Sequence, residues 1–258
     1  MKRARFVYQG RLHWGTVADD GTLLDEAGRA VPADEVVWLP PVEPRKVLAV
    51  ALNYADHAEE LGMKRPVEPV VFLKPPSSLI GHRSPVLYPR GATYMHYEGE
   101  LAVVMGAPCR RVSPERALDY VRGWTAANDI TVRDFIHKDT YRPPVKAKGF
   151  DTFGPLGPWL VERGEDGQIP RWVRTYVNGE LRQDGSTSDF IFSVAELIAY
   201  LSEFMTLEPD DVILTGTPKG ISPIEPGDVV RVEIDGVGAL ENPIVAEDDP
   251  ALPSAAAR

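Results

Sequence analysis

Short glycine turns set the shape of this chain more than any other feature. Gln9-Gly10 separates RFVY from LHWGTV, Asn178-Gly179 sits inside WVRTYVNGELRQ, and Asp235-Gly236 follows VVRVEI. Dipeptides of this kind supply the positive φ that tight hairpin turns require, and Asn-Gly is the strongest of these signals. Asp19-Asp20-Gly21 marks a further turn. A chain that folds back on itself this often builds antiparallel strands, which favours a β-rich α+β fold over a doubly wound one.

The organisation follows from where the pattern changes. Residues 1–43 are expected to form a small N-terminal β module, ending in LPPVEPRK, whose prolines disfavour regular structure and read as a linker near residues 39–45. KVLAVAL (Lys46–Leu52) then opens the main domain, residues 44–245, as a short buried strand. Ser113-Pro114-Glu115 predicts a capped helix running to Tyr120. Ser193-Val194-Ala195-Glu196 is a capping box opening a helix with Leu197, Leu201 and Phe204 along one stripe. Residues 246–258 have little to bury and are expected to fray.

A formal net charge of -10 argues against a nucleic-acid binder or a protein of anionic membrane surfaces. No apolar run is long enough to span a bilayer, and the basic start MKRARFVYQG lacks the apolar segment of a signal peptide. A cytoplasmic protein acting on a small molecule is the expectation. The single cysteine, Cys109, excludes an internal disulfide and any multi-cysteine zinc cluster.

The chemistry concentrates in MHYEGELAVVM (Met95–Met105). Glu98 and Glu100 lie two apart in a strand-like apolar run, so their side chains point the same way. Two carboxylates on one partly buried face repel, and one must take a proton, pair with a cation or share a metal. Asp129, in GWTAANDIT, is a third acid in an apolar setting. Three carboxylates without a cysteine or paired-histidine pattern make a hard oxygen-donor set suited to Mg²⁺ or Mn²⁺. His57 and Glu60 lie three apart in NYADHAEE. On a helix they share a face, where a carboxylate would fix the imidazole tautomer and raise its basicity; as exposed neighbours they would do nothing.

Taken together, NYADHAEE (Asn53–Glu60), VFLKP (Val71–Pro75), HYEGELAVVMG (His96–Gly106), ANDITVRD (Asn128–Asp134), Lys148, VNGELRQ (Val177–Gln183) and ILTGTPKG (Ile213–Gly220) occur in the order seen in one family. Over residues 45–245 the chain resembles the fumarylacetoacetate hydrolase superfamily. That resemblance implies a mixed β-sheet roll or barrel with few helices, and one divalent cation, Mg²⁺ or Mn²⁺, held by Glu98, Glu100 and Asp129. It further implies a lid whose His57–Glu60 pair activates water or shuttles protons. Lys148 would stand beside the metal and meet developing negative charge, and Thr217 would bind a substrate carboxylate. Lys74 either lines the same pocket or makes a structural salt bridge. Members of the family are generally homodimers.

Within the family, YRP followed by a V-K-x-K-like run (Tyr141 to Lys148), with LIAYLSEFMTLEPDDVILTGTPKG, is most similar to the isomerase/decarboxylase branch of 4-hydroxyphenylacetate (homoprotocatechuate) degradation. There Tyr141 and Arg142 would help bind the substrate, Arg142 offering a fork for a distal carboxylate; a simply exposed arginine is the alternative. Leu52 stands where many relatives carry arginine, and Ile136 in the region where some acylpyruvate-cleaving members carry glutamine, which tilts the reading away from acylpyruvate hydrolysis. Oxaloacetate decarboxylation or tautomerisation, and a non-catalytic metal-dependent ligand-binding module, are the other readings.

Overall fold

The computed structural model describes residues 1–136, 144–165 and 167–250. Its centre is a twelve-stranded mixed sheet, accompanied by a five-stranded sheet and a small three-stranded one. The hairpins expected from the turn signals are present. Trp172–Val177 pairs with Glu180–Ser186 across Asn178 and Gly179, which adopt φ of 52° and 82°, and Lys2–Tyr8 pairs with Arg11–Val17 across Gln9-Gly10. Only four α-helical segments occur among the described residues: Ala55–Glu60, Pro114–Ala117, Val145–Lys148 and Val194–Phe204.

Gly99–Met105 occupies the middle of the large sheet, between Val121–Asn128 and Val212–Leu214, and all seven of its residues are buried. Its two faces pack into different cores. Leu101, Val103 and Met105 join Val173, Val232 and Leu240 of the five-stranded sheet and the helix residues Leu197 and Leu201. Ala102 and Val104 join Val47, Ala49, Leu156 and Leu214 on the other side. A strand covered on both faces reads as a continuous apolar run rather than an alternating one, which explains LAVVM.

Several expectations are corrected. The large sheet does not close into a barrel among the described residues. It runs from Ala30–Val31 at one end to Val70–Lys74 at the other, and the latter edge has the helix Val145–Lys148 beside it instead of a closing strand. Phe204 does not share the buried stripe; as the last helical residue it lies 54% exposed, edge-on to Tyr200, while Val194 and Ile198 complete the apolar face. The helix after Ser113 turns 3-10 at Leu118–Tyr120, and the Ser113 side chain accepts no cap hydrogen bond.

The N-terminal residues join the main sheet directly, with Lys2 and Arg3 opposite Val161 and Leu160. The proline-rich stretch after them is packed, with Val42 in the core between strands. Of the tail, residues 251–258 lie outside the described residues.

Candidate metal and acid–base site

The run MHYEGELAVVM is two strands rather than one. Met95–His96 belongs to the three-stranded sheet, paired with Thr131–Val132 and Pro223–Ile224, whereas Gly99–Met105 belongs to the large sheet. The neighbouring chain makes the same crossing, leaving the large sheet at Asn128 and entering the small one at Thr131. Glu98 and Asp129 therefore sit at matching crossing points, and one backbone and one side-chain hydrogen bond tie the two crossings together. The Asp129 N–H donates to Glu98 O at 2.8 Å, and the Glu98 N–H donates to Asn128 Oδ1 at 2.9 Å.

This arrangement brings Glu98, Glu100 and Asp129 together, each offering an oxygen within 4.8 Å of the others, and all three are buried. Burial, then the Asp129 and Glu98 charges, drives the Glu100 carboxyl well above its ordinary range. Burial pushes Glu98 upward too, but the Lys148 ammonium, the Arg133 guanidinium and the His57 imidazole more than offset this and hold it below the usual range.

Cations answer the acids at close range. Lys148 Nζ donates to Glu98 Oε2 at 2.8 Å, Asp129 Oδ2 at 2.6 Å and Thr131 Oγ1 at 2.7 Å. Lys74, fully enclosed, donates to Asp129 Oδ1 at 2.6 Å and to the Lys148 carbonyl; it is thus both a salt-bridge partner and a neighbour of the acids. Arg133 Nη2 donates to Glu98 Oε1 at 3.0 Å. Three carboxylates thus meet three cationic side chains. The donor set fits a hard divalent cation: all oxygens, converging, with the Lys148 ammonium standing between Glu98 and Asp129 where positive charge is required.

His57 is buried in the helix Ala55–Glu60, and its Nδ1 lies 3.0 Å from Glu60 Oε2. Glu60 Oε1 accepts a second hydrogen bond, from the Gly220 N–H at 2.9 Å. Glu59 faces solvent. Thr217 is buried with its hydroxyl committed, donating to Gly99 O at 2.9 Å and accepting from Gln183 Nε2 at 2.7 Å; a carboxylate bound there would have to replace the Gly99 contact. Lys146 is exposed, over the Phe135 ring. Tyr141 and Arg142 lie outside the described residues.

Sequence reasoning gave no role to Arg133, Gln183 or Gly216. All three fall within motifs of the family resemblance, ANDITVRD, VNGELRQ and ILTGTPKG, which was the available signal. Gln183 Oε1 accepts the Gly99 N–H, and the Gly216 N–H donates to Glu100 Oε2 at 2.7 Å. Both contacts join segments far apart in the chain, 84 and 116 residues in sequence, and no spacing announces them.

Residues 46–245 match the fumarylacetoacetate (FAA) hydrolase C-terminal family. A protein of Archaeoglobus fulgidus is 46% identical over 244 residues, covering 95% of this chain and 96% of its own. The 4-hydroxyphenylacetate degradation bifunctional isomerase/decarboxylase of Escherichia coli is 52% identical over 206 residues, 78% of this chain; the chain spans about half the length of that enzyme, 47%. Among solved structures, the 5-carboxymethyl-2-hydroxymuconate delta-isomerase of Mycobacterium smegmatis is 40% identical with a TM-score of 0.85, covering 96% of this chain and all of that one.

Proposed function

The chain belongs to the fumarylacetoacetate hydrolase C-terminal family, and from that premise we propose that it is a metal-dependent isomerase/decarboxylase of 2-oxo or 2-hydroxy dienoic di- and tricarboxylates in homoprotocatechuate catabolism. Its reactions would be those of a 2-hydroxyhepta-2,4-diene-1,7-dioate isomerase and a 5-oxopent-3-ene-1,2,5-tricarboxylate decarboxylase. The observation that carries this reading is the convergence of three buried carboxylates in a chain that also holds the His57–Glu60 pair and that is about 50% identical, over 78% of its length, to enzymes of that name.

Glu98, Glu100 and Asp129 would hold Mg²⁺ or Mn²⁺, which when bound supplies Lewis-acid polarisation of a 2-oxo carboxylate. The protein's own charges favour such a ligand. Because Lys74, Lys148 and Arg133 already balance the acids, a bound dication leaves the pocket with surplus positive charge, suited to a substrate carrying a carboxylate and a developing enolate. Glu60 accepts from Nδ1–H, which leaves the lone pair of His57 on Nε2 to take a proton from one carbon and return it to another. Lys148, released from one of its acids, would donate to the negative oxygen.

We place the protein in the cytoplasm, and no helix among the described residues is long and apolar enough to cross a membrane. A homodimer is part of the same reading. The edge strand Val70–Lys74 ends the large sheet with Val70 and Leu73 about half exposed, at 45% and 52%, a surface a second copy could cover.

The test is a panel of dienoic dicarboxylates, oxaloacetate and acylpyruvates, assayed with Mg²⁺ or Mn²⁺ and with chelator. CO₂ release, double-bond migration and carbon–carbon cleavage are scored separately. Metal-dependent migration and CO₂ release on the dienoic acids are expected. Dominant cleavage of acylpyruvates would make the protein a hydrolase, and absence of turnover on every substrate would leave a ligand-binding module.

A further inference from the structure

Tyr97 lies between His96 and Glu98, where the chain crosses from the small sheet to the large one. Its ring is fully enclosed among Met95, Ile130, Phe153 and Val230. Its hydroxyl leaves that core at a single point. It donates to Gly220 O at 2.6 Å and lies 2.8 Å from Ser222 Oγ. Gly220 is the residue whose N–H donates to Glu60 Oε1, while the other Glu60 oxygen lies on His57 Nδ1.

These contacts form one continuous chain: Tyr97 hydroxyl, Gly220, Glu60, His57. The Gly220 backbone is fixed from below as well. It has φ of +102°, and a Cβ there would lie 2.1 Å from the Arg182 carbonyl, so the turn is pressed against the strand Glu180–Ser186 in a shape only glycine adopts without strain. Gln183 Nε2 donates to Pro218 O at 2.7 Å and secures the same loop upstream. The loop is thus a fixed surface, and the six-residue helix carrying His57 is hydrogen-bonded to it through the Glu60 carboxylate.

We propose that Tyr97 is a positioning residue for the acid–base pair: its hydroxyl anchors the Gly220 carbonyl and so holds the turn whose preceding peptide unit, through the Gly220 N–H, orients Glu60, and through Glu60 fixes the tautomer and place of the His57 imidazole. The residue preceding the first acid of the metal site thereby ties the base to the same crossing between the two sheets. This inference rests on the acid–base role given to His57 above.

Tyr97→Phe removes one oxygen and keeps the ring, so it isolates the hydroxyl. In protein labelled with ¹⁵N-histidine, the His57 Nδ1–H of the wild type should exchange slowly with solvent, and Tyr97→Phe should speed that exchange by about 2–10-fold, the worth of one hydrogen bond. Double-bond migration should fall by a similar factor, with Mn²⁺ affinity unchanged. In a Glu60→Gln background, Tyr97→Phe should add nothing further, since residues acting through one contact are not additive. Ser222→Ala, which removes the second partner of the hydroxyl and with it a long contact from Arg182 Nη1, should shift exchange in the same direction by less, and it serves should Tyr97→Phe not fold. Unchanged Nδ1–H exchange in the variant that folds, or full additivity with Glu60→Gln, overturns the proposal. If the wild type migrates no double bond yet the exchange responds as described, the functional reading fails while the positioning role stands.

Discussion

The Lys148 ammonium stands 2.6 Å from Asp129 Oδ2, on an oxygen that family resemblance gives to a divalent cation. The same nitrogen lies 2.8 Å from Glu98 Oε2, so the lysine occupies the site's need for positive charge from within the chain. Burial works against this ammonium, but Asp129 and Glu98 keep it charged and raise its pKa. Lys148→Met should therefore leave two buried acids short of a partner and cost the metal-free protein about 3 kcal/mol, or of order 10 °C in Tm. Saturating Mn²⁺ should restore most of that loss by binding the folded state, about 2.7 kcal/mol at a hundredfold excess over Kd, without restoring turnover. Calorimetry with and without Mn²⁺ checks this, and a variant that the ion fails to stabilise contradicts it.

The acids and the base are expected to differ in weight. A positioned acid or base contributes about 10²–10⁴-fold, so His57→Ala should lose activity within that range. Glu98→Gln removes a proposed ligand and should lose more, together with Mn²⁺ affinity, which His57→Ala should leave intact. Steady-state rates and metal titration of the two variants decide it; equal residual rates would reject the ranking.

Gly99 separates the two glutamates for a steric reason. A Cβ at this position would lie 2.0 Å from Thr175 Oγ1 and 3.2 Å from Val232 Cγ1 of the facing sheet. Gly99→Ala must push the strand off that sheet, at about 1–3 kcal/mol, and so turn both carboxylates. It should weaken Mn²⁺ binding at least about 10-fold, since smaller disturbances around metal ligands have that effect. Thr175→Ala removes the nearest clash, and its hydroxyl has no hydrogen-bond partner to lose. The double variant should therefore regain part of both losses. Independent, additive losses in a double-mutant cycle would show that the contact is not the cause.

How much of this was legible in the chain follows from what each signal measures. Hairpins at Gln9-Gly10, Asn178-Gly179 and Asp235-Gly236 were readable because turn chemistry is local: these residues supply φ that others avoid. Glu98, Glu100 and Asp129 stood out because acids within apolar runs need an explanation. What sequence periodicity could not show is that the run breaks at Tyr97–Glu98 and passes between two sheets, since the Met95–His96 partners lie at Thr131–Val132 and Pro223–Ile224. That break, a tertiary event, is what carries Arg133 and Lys148 to Glu98. The open end of the large sheet at Val70–Lys74 was hidden for the same reason, because closure depends on strands far apart in sequence.

Stability should fall on mild acidification, and His82 identifies one cause. Burial, reinforced by the Arg83 charge, lowers the His82 pKa to about 4. Its Nδ1 accepts the Glu241 N–H at 3.0 Å, a contact that protonation at Nδ1 would abolish, and its ring meets Trp38 edge-on at 5.5 Å. The unfolded chain takes up this proton near pH 6.5 while the folded protein refuses it until about pH 4, so the unfolded state binds more protons across that window and stability declines as pH falls through it. The full linkage is at most about 3 kcal/mol, and less because the ring is partly exposed to solvent screening. His82→Asn keeps an acceptor for Glu241 and cannot titrate. It should be the less stable protein at pH 7, having lost the Trp38 contact, and the gap to wild type should narrow steadily between pH 6.5 and 4.5. Contributions from other titrating groups are common to both proteins and cancel in that difference. Parallel Tm curves over this range would mean that His82 takes its proton equally well folded and unfolded.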